Sequence, residues 1–179
     1  MKIICIAGLI GSGKNIASDH IAEKYGYKII DYAGMLREIC RKEGLEVTRD
    51  NLQNLRIKYG NTFLAEHVIK MIRKDEARRF ILTPMRRSED YEIPKKEFGK
   101  DVFLIVIATS PKIRFERLRN RGRENDPKDF KEFQRQEARE NKIFNFDKTF
   151  SYADFKVKNE SSIKDFCKEL DKVIKEIGI

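Results

Sequence analysis

The octet Gly8-Leu9-Ile10-Gly11-Ser12-Gly13-Lys14-Asn15 constrains this chain more than any other stretch. It follows a continuous apolar strand, Lys2 to Ala7, and precedes a segment in which Ala17, Ile21 and Tyr25 recur at i, i+4 and i+8, the spacing of a helix. A buried strand, a glycine-rich turn and a helix opening on lysine make the phosphate-loop pattern GxxxxGK. The glycines let successive backbone N–H groups curl inward toward phosphate oxygens, and the helix N-terminus adds partial positive charge. Lys14 then bridges the outer phosphates. Gly8, Gly11, Ser12, Gly13, Lys14, Asn15 and Ile16 are the expected nucleotide-binding residues. Position 15 departs from the usual Ser or Thr hydroxyl. Asn15 offers an amide oxygen on a longer arm, itself a hard ligand for Mg2+; the alternative is a metal held by phosphates and water alone.

Apolar runs and helical patterns alternate along the rest of the chain. Strands are expected at Tyr27 to Asp31, Phe80 to Thr83 (ended by Pro84), Val102 to Ala108 and Ala153 to Lys158. The unbroken apolar character of Val102 to Ala108 implies burial on both faces, as in a parallel sheet. Helices are expected at Met35 to Lys42 and at Asn51 to about Lys74, separated by Gly44 and the possible cap Thr48. Pro111 starts another helix, running to about Arg121, and a charged stretch from Arg121 to Lys131 leads into one through Asn141. The last helix is the clearest, because Ile163, Phe166, Cys167, Leu170, Val173, Ile174 and Ile177 form one apolar stripe. The pattern predicts an α/β fold: a five-stranded parallel sheet with helices on both faces. One domain spans residues 1–179, with a helical subdomain over about 34–75.

With 38 Lys plus Arg against 29 Asp plus Glu, the net charge is +9 and favours polyanionic partners, RNA and phosphorylated metabolites alike. Residues of both signs reach 37%, so much of this charge is a mixed solvated surface. The three cysteines, Cys5, Cys40 and Cys167, lack a CxxC pair and read as reduced residues of a cytoplasmic protein. No apolar run approaches a membrane span, and the opening run Ile3 to Ala7 is too short for a signal peptide. His20 and His67 are isolated, which argues against a transition-metal site.

In an open parallel sheet the ligand lies beyond the carboxyl ends of the strands. Asp31, Thr83 with Pro84-Met85-Arg86-Arg87, Thr109-Ser110 and Asn159 fall there. Asp31 is a candidate general base or water-mediated metal ligand, with a helix-capping residue as the plain alternative. Arg37 and Arg86 are placed to reach a second phosphoryl group, a task suited to arginine's planar fork. Arg114, Arg117, Arg119, Arg121 and Arg123 fall within ten residues and are followed by Glu124-Asn125-Asp126-Pro127. This cluster reads as a lid over about 114–131 that closes on the donor phosphates. An RNA-facing patch, or a solvated face paired with Glu116 and Glu124, are the other readings. Arg139 is a further candidate for the acceptor.

At this point the chain resembles small P-loop kinases that phosphorylate nucleotides: nucleoside and deoxynucleoside monophosphate kinases and dephospho-CoA kinase, together with archaeal and bacterial relatives of unassigned function. Gly8 to Lys14 is similar to their phosphate loop, and Ile29 to Glu38 to the segment that receives the acceptor. Thr48 to Gln53 is similar to an acceptor-binding helix, Arg114 to Asp126 to the lid, and Ala153 to Asn159 to the final strand and its adenine-side loop. The resemblance implies strand order 2-3-1-4-5 with ATP as donor and Mg2+ as its metal. It implies catalytic roles for Lys14, Asp31, Arg117 and Arg121 and ATP contacts for Arg123 and Asn159. The acceptor would meet Asp31, Arg37, Gln53, Arg86 and Arg139. Many relatives carry Asp-Gly after strand three; here Thr83-Pro84 stands instead, while Arg86 is kept.

The expected activity is ATP-dependent phosphoryl transfer to a small nucleotide, a nucleoside or deoxynucleoside monophosphate first. Transfer to a ribose hydroxyl, as on dephospho-CoA, is the alternative, and Asp31 favours it as proton acceptor. A non-catalytic nucleotide-binding protein is a second class, motivated by Asn15 and Thr83. An RNA-directed enzyme is a third, but the sequence carries no recognisable RNA-reading module. The expected partners are small-molecule nucleotides, with no membrane and RNA not expected, in a monomer or homodimer.

Overall fold

The computed structural model describes residues 1–123 and 126–178, with the backbone alone at Arg49. Within them five strands form one sheet: β1 (Lys2–Ala7), β2 (Lys28–Asp31), β3 (Arg79–Met85), β4 (Val102–Ala108) and β5 (Phe155–Lys158). Their order is β2-β3-β1-β4-β5 and every pairing is parallel. The central place of β1 explains its wholly apolar sequence. Ile3, Cys5 and Ala7 enter the core on one face, and Ile4 and Ile6 enter the core on the other.

Helices cover both faces. α1 (Lys14–Tyr25) and α9 (Ile163–Glu176) lie on one, through Ala17 and Ile21 and through Phe166, Leu170 and Ile174. The other face carries α2 (Tyr32–Lys42), α3 (Arg49–Tyr59), α4 (Phe63–Lys74) and α5 (Glu89–Phe98), which contribute Leu36, Leu55, Val68 and Tyr91 to the second core. Beyond β4 follow α6 (Pro111–Arg121), α7 (Phe130–Phe144) and the short α8 (Phe146–Ser151). Phe115 of α6 packs on Phe130 and Phe133 of α7 at centroid distances of 5.5 and 5.9 Å, which fastens α7 to α6. Among the described residues no helix is long and apolar enough to cross a membrane.

Three local differences separate this fold from the expected pattern. The continuous helix expected over 51–74 is two, because Gly60, at φ +85°, ends α3 before Phe63 opens α4. Thr48 caps α3 as expected, its Oγ1 accepting the Asn51 N–H at 3.2 Å. β3 does not stop at Thr83 but continues through Pro84 to Met85, opposite a register shift in β1 between Cys5 and Ala7. α5 and α8 lack a clear apolar period, and α5 holds Pro94 in its interior. Pro94 cannot donate to the carbonyl of Asp90 four residues earlier, and the Tyr32 hydroxyl donates there instead, at 3.4 Å.

Candidate functional site

The phosphate loop runs from the end of β1 into α1 under the carboxyl edge of the sheet. Gly11 and Gly13 adopt φ of +79° and +98°. A Cβ at Gly11 would lie 2.9 Å from the backbone oxygen of Arg114, and one at Gly13 would lie 2.2 Å from Nδ2 of Asn159. Glycine is therefore required at both places by conformation and by close approach. The loop is held from behind by side chains on neighbouring strand ends. Asn159 Nδ2 donates to the Ser12 carbonyl at 2.8 Å, and Thr109 Oγ1 donates to the same carbonyl at 3.2 Å.

Lys14 opens α1 and folds back over its own loop, donating to the carbonyls of Gly8 and Leu9 at 2.8 and 2.9 Å. Burial first, and then the Arg86, Arg114 and Arg121 guanidinium groups against the opposing Glu140 carboxylate, together lower its ammonium pKa to about 7. Gly8, Ile10, Lys14, Pro84, Arg86 and Glu140 line one small cleft. Arg86 reaches to 3.7 Å from the Glu140 carboxylate and lies over the Phe144 ring at 5.2 Å. Such a concentration of positive charge around a backbone cup is chemically suited to phosphate groups.

The arginine cluster on α6 divides by position. Arg114 is buried, 2% exposed, donating to the carbonyls of Thr109 and Ile10 and pairing with Glu137 of α7. Arg117 donates to the Gly11 carbonyl at 3.4 Å and to Asn159, at 3.1 Å to its carbonyl and 3.2 Å to its Oδ1. Both arginines brace the phosphate loop. Arg121 pairs with Asp126, which also accepts the backbone N–H of Arg123 at 3.1 Å. Arg119 and Arg123 are exposed. Glu124 and Asn125, part of the expected lid, lie outside the described residues.

On the acceptor side, Asp31 caps α2 by accepting the Ala33 N–H at 2.9 Å, and its second oxygen receives Arg37 at 2.9 Å. Gly34 makes room for this pair, since a Cβ there would meet the Asp31 carboxylate at 2.7 Å. Gln53 is partly buried on α3, Asn15 and Ile16 are exposed at the start of α1, and Thr83 is buried within β3, two residues before its end. Arg139 is exposed on α7, and it is Glu140 that enters the Lys14 cleft. Sequence reasoning missed Glu140 and Glu137. The spacing Phe133, Glu137, Glu140, Phe144 marks them as the inward face of α7, with Phe133 and Glu140 buried, and that periodicity was the available signal. It also missed Asp90, a buried carboxylate at the start of α5.

Sheet order, loop and flanking lysine define the P-loop fold. Residues 7–134 match the family model described as AAA domain. The chain is 35% identical to UPF0200 protein MJ1399 of Methanocaldococcus jannaschii, with 99% of this chain and 91% of that protein aligned. It is 31% identical to a UPF0200 protein of Hyperthermus butylicus, over 98% of this chain and 94% of that one. Among solved structures, shikimate kinase from Bacteroides thetaiotaomicron superposes with a TM-score of 0.67 at 15% identity, covering 97% of this chain and 98% of that one. Dephospho-CoA kinase from Campylobacter jejuni gives 0.55 at 18% identity, covering 98% and 97%. These two likenesses show the shared fold. The chain belongs to the UPF0200 family.

Proposed function

We propose that this protein transfers the γ-phosphoryl group of ATP to a small nucleotide, with a nucleoside or deoxynucleoside monophosphate as acceptor. The observation that carries the reading is the Lys14 ammonium, lowered to about 7 by burial and by Arg86, Arg114 and Arg121. A bound polyphosphate would supply the missing negative charge and favour the protonated lysine. The loop N–H groups would hold the donor, and Lys14 and Arg121 would stabilise charge on the transferred group. Arg117, Arg123 and Asn159 are assigned to the donor side, with Arg117 and Asn159 fixing the loop from behind. Arg37, Arg86, Gln53 and Arg139 are assigned to the acceptor. The surplus of arginine around Lys14 favours an acceptor that brings its own phosphate, which needs positioning more than a base.

The donor set fits a Mg2+ ion carried mainly by the nucleotide. Among the described residues no three Asp, Glu, His or Cys side chains converge on a metal position. Thr83 Oγ1 is buried without a hydrogen-bond partner, and Asn15 is exposed beside Lys14. Asn15, with Thr83 nearby in sequence to the cleft-lining Pro84, is the oxygen set this chain offers; the metal would neutralise phosphate charge.

Asp31 supports a second reading, transfer to a hydroxyl of a nucleotide, because its carboxylate stands at a strand end where an acceptor proton has to be taken. The proteins named shikimate kinase and dephospho-CoA kinase share the fold, and the fold alone does not select between the two acceptor classes. Coupled assays of AMP, CMP, deoxynucleoside monophosphates and dephospho-CoA, each with ATP and Mg2+, decide between the two. Turnover of a monophosphate supports the first reading and turnover of dephospho-CoA alone supports the second. Tight ATP binding with no transfer to any acceptor marks a non-catalytic nucleotide-binding protein, and Asn15→Ser with Thr83→Asp would then raise turnover.

A further inference from the structure

Asp90 is fully buried at the first turn of α5, yet it is ionisable and adjoins three separate parts of the acceptor side. Its Oδ2 accepts the backbone N–H groups of Arg86 and Arg87, each at 3.1 Å. The same oxygen lies 3.6 Å from Nη1 of Arg56 on α3, itself only 9% exposed. Its backbone carbonyl takes the hydroxyl of Tyr32, the residue that follows Asp31. The guanidinium groups of Arg86 and Arg87 meanwhile lie 5.2 and 5.6 Å from the Phe144 ring. The backbone at 86–87 is thus gripped by Asp90 on one side, and its side chains rest on α7 on the other.

Desolvating a carboxylate and a guanidinium is costly, and an apolar pair of similar volume would hold α3 to α5 at least as well. What an apolar pair cannot do is receive two backbone N–H groups and point them in one direction. Arg56 also follows Gln53 by three residues, so the two share a face of α3. We propose that Asp90, with Arg56, is a positioning residue for the acceptor side of the cleft. It fixes the backbone from which Arg86 reaches the acceptor and ties that backbone to α3. This rests on the assignment of Arg86 to the acceptor made above, and Asp90 itself touches no reacting atom.

The test compares Arg86→Ala, Asp90→Leu, Arg56→Met and the double variant Asp90→Leu/Arg56→Met. The double variant removes both charges and keeps the fold measurable should a single charge left unpaired prevent folding. Backbone amide exchange is followed at residues 86 and 87, together with ATP affinity and the KM for the best substrate among AMP, CMP and dephospho-CoA. The expected result is exchange at Arg86 and Arg87 faster by about tenfold or more in every Asp90 variant, as befits amides that lose a buried acceptor. The acceptor KM is expected to rise by about tenfold, as in Arg86→Ala, with ATP affinity within about twofold of the unaltered protein. Unchanged exchange at 86–87 overturns the inference whatever the activity. So does a double variant in which thermal stability and acceptor KM both return to normal, since the pair would then be structural only. An unchanged acceptor KM in Arg86→Ala instead removes the role assigned to Arg86, a separate failure.

Discussion

Asn159 donates from Nδ2 to the carbonyl of Ser12 at 2.8 Å, so the residue just after the edge strand β5 holds the phosphate loop in shape. Arg117 and Thr109 complete the brace: Arg117 donates to the Asn159 carbonyl at 3.1 Å, and the Thr109 hydroxyl, 3.2 Å from both that carbonyl and the Ser12 carbonyl, shares its one proton between them. The nucleotide cup therefore depends on β4, β5 and α6 as well as on its own glycines. Asn159→Ala leaves the Ser12 carbonyl with Thr109 as its remaining side-chain donor. It should destabilise the fold by about 1–2 kcal/mol, a drop of a few degrees in Tm. ATP affinity should fall with it. Calorimetry and a thermal melt on the same sample check both, and an unaltered ATP affinity would show that the brace does not shape the cup.

Gly13→Ala tests the same contact from the other side. The added methyl would meet Asn159 Nδ2 at 2.2 Å in a backbone conformation at φ +98° that alanine rarely adopts. ATP binding should be lost beyond about a hundredfold while far-ultraviolet circular dichroism stays native, since a strained loop affects the site before the sheet. Binding within a few-fold of the unaltered protein would contradict the close approach of loop and Asn159.

A lysine held at about 7 makes nucleotide binding depend on pH. In the unfolded chain Lys14 titrates near its ordinary 10.5, so between about 7 and 10.5 the unfolded state binds more protons than the folded one. The contribution of this group to stability is thus unfavourable below pH 7 and is progressively relieved as the pH rises through that window. Binding of a polyphosphate runs the other way, because it favours the charged lysine. Above pH 7 ATP should bind with uptake of a proton, and its affinity should fall by up to about tenfold per pH unit. Calorimetry in buffers of different ionisation enthalpy measures the uptake. Lys14→Arg, which stays charged, should abolish it; uptake that survives in that variant would assign the proton elsewhere.

Asp171 joins α9 to α1 through three donors: His20 at 2.8 Å, Lys24 at 2.7 Å and Tyr25 at 2.8 Å. Burial alone would raise the carboxyl, but the hydrogen bonds from Lys24, His20 and Tyr25 outweigh it and hold the group at about 2. A lowered carboxyl contributes stability that is present above its ordinary value near 3.8 and lost as pH falls toward 2. Asp171→Asn should lower Tm by a few degrees at pH 7, with the difference closing in that acid window. An equal loss at pH 7 and pH 2 would show that packing, not charge, joins the helices.

The strands and the phosphate loop were legible because each rests on a local pattern, whereas the strand order followed from the resemblance to P-loop kinases. β1 is apolar on both faces, GxxxxGK needs a strand before it and a helix after it, and the α9 stripe repeats without interruption. The break at Gly60 was hidden because good helix formers continue on both sides of it, and α5 was hidden because Pro94 masks its period. The inward acids of α7 were passed over for a different reason. Arg139 was favoured for its charge, whereas the face of the helix, set by Phe133 and Phe144, selects Glu137 and Glu140 one or two residues away. Long-range contacts such as Arg117 with Asn159, 42 residues apart, have no signature in a single sequence, and they are what convert an arginine expected in a lid into a brace on the loop.

The account stands on the Lys14 cup gripping a triphosphate, and the direct test is ATP titration of the unaltered protein and of Lys14→Ala by calorimetry. Lys14→Ala removes a costly buried cation, so the variant should fold and melt at or above the temperature of the unaltered protein. The unaltered chain should bind ATP with measurable heat, and Lys14→Ala should bind it at least about a hundredfold more weakly, the scale of a lost charge-assisted contact to phosphate. No heat with ATP, or equal affinity in the folded Lys14→Ala variant, would contradict the assignment of this loop to nucleotide binding.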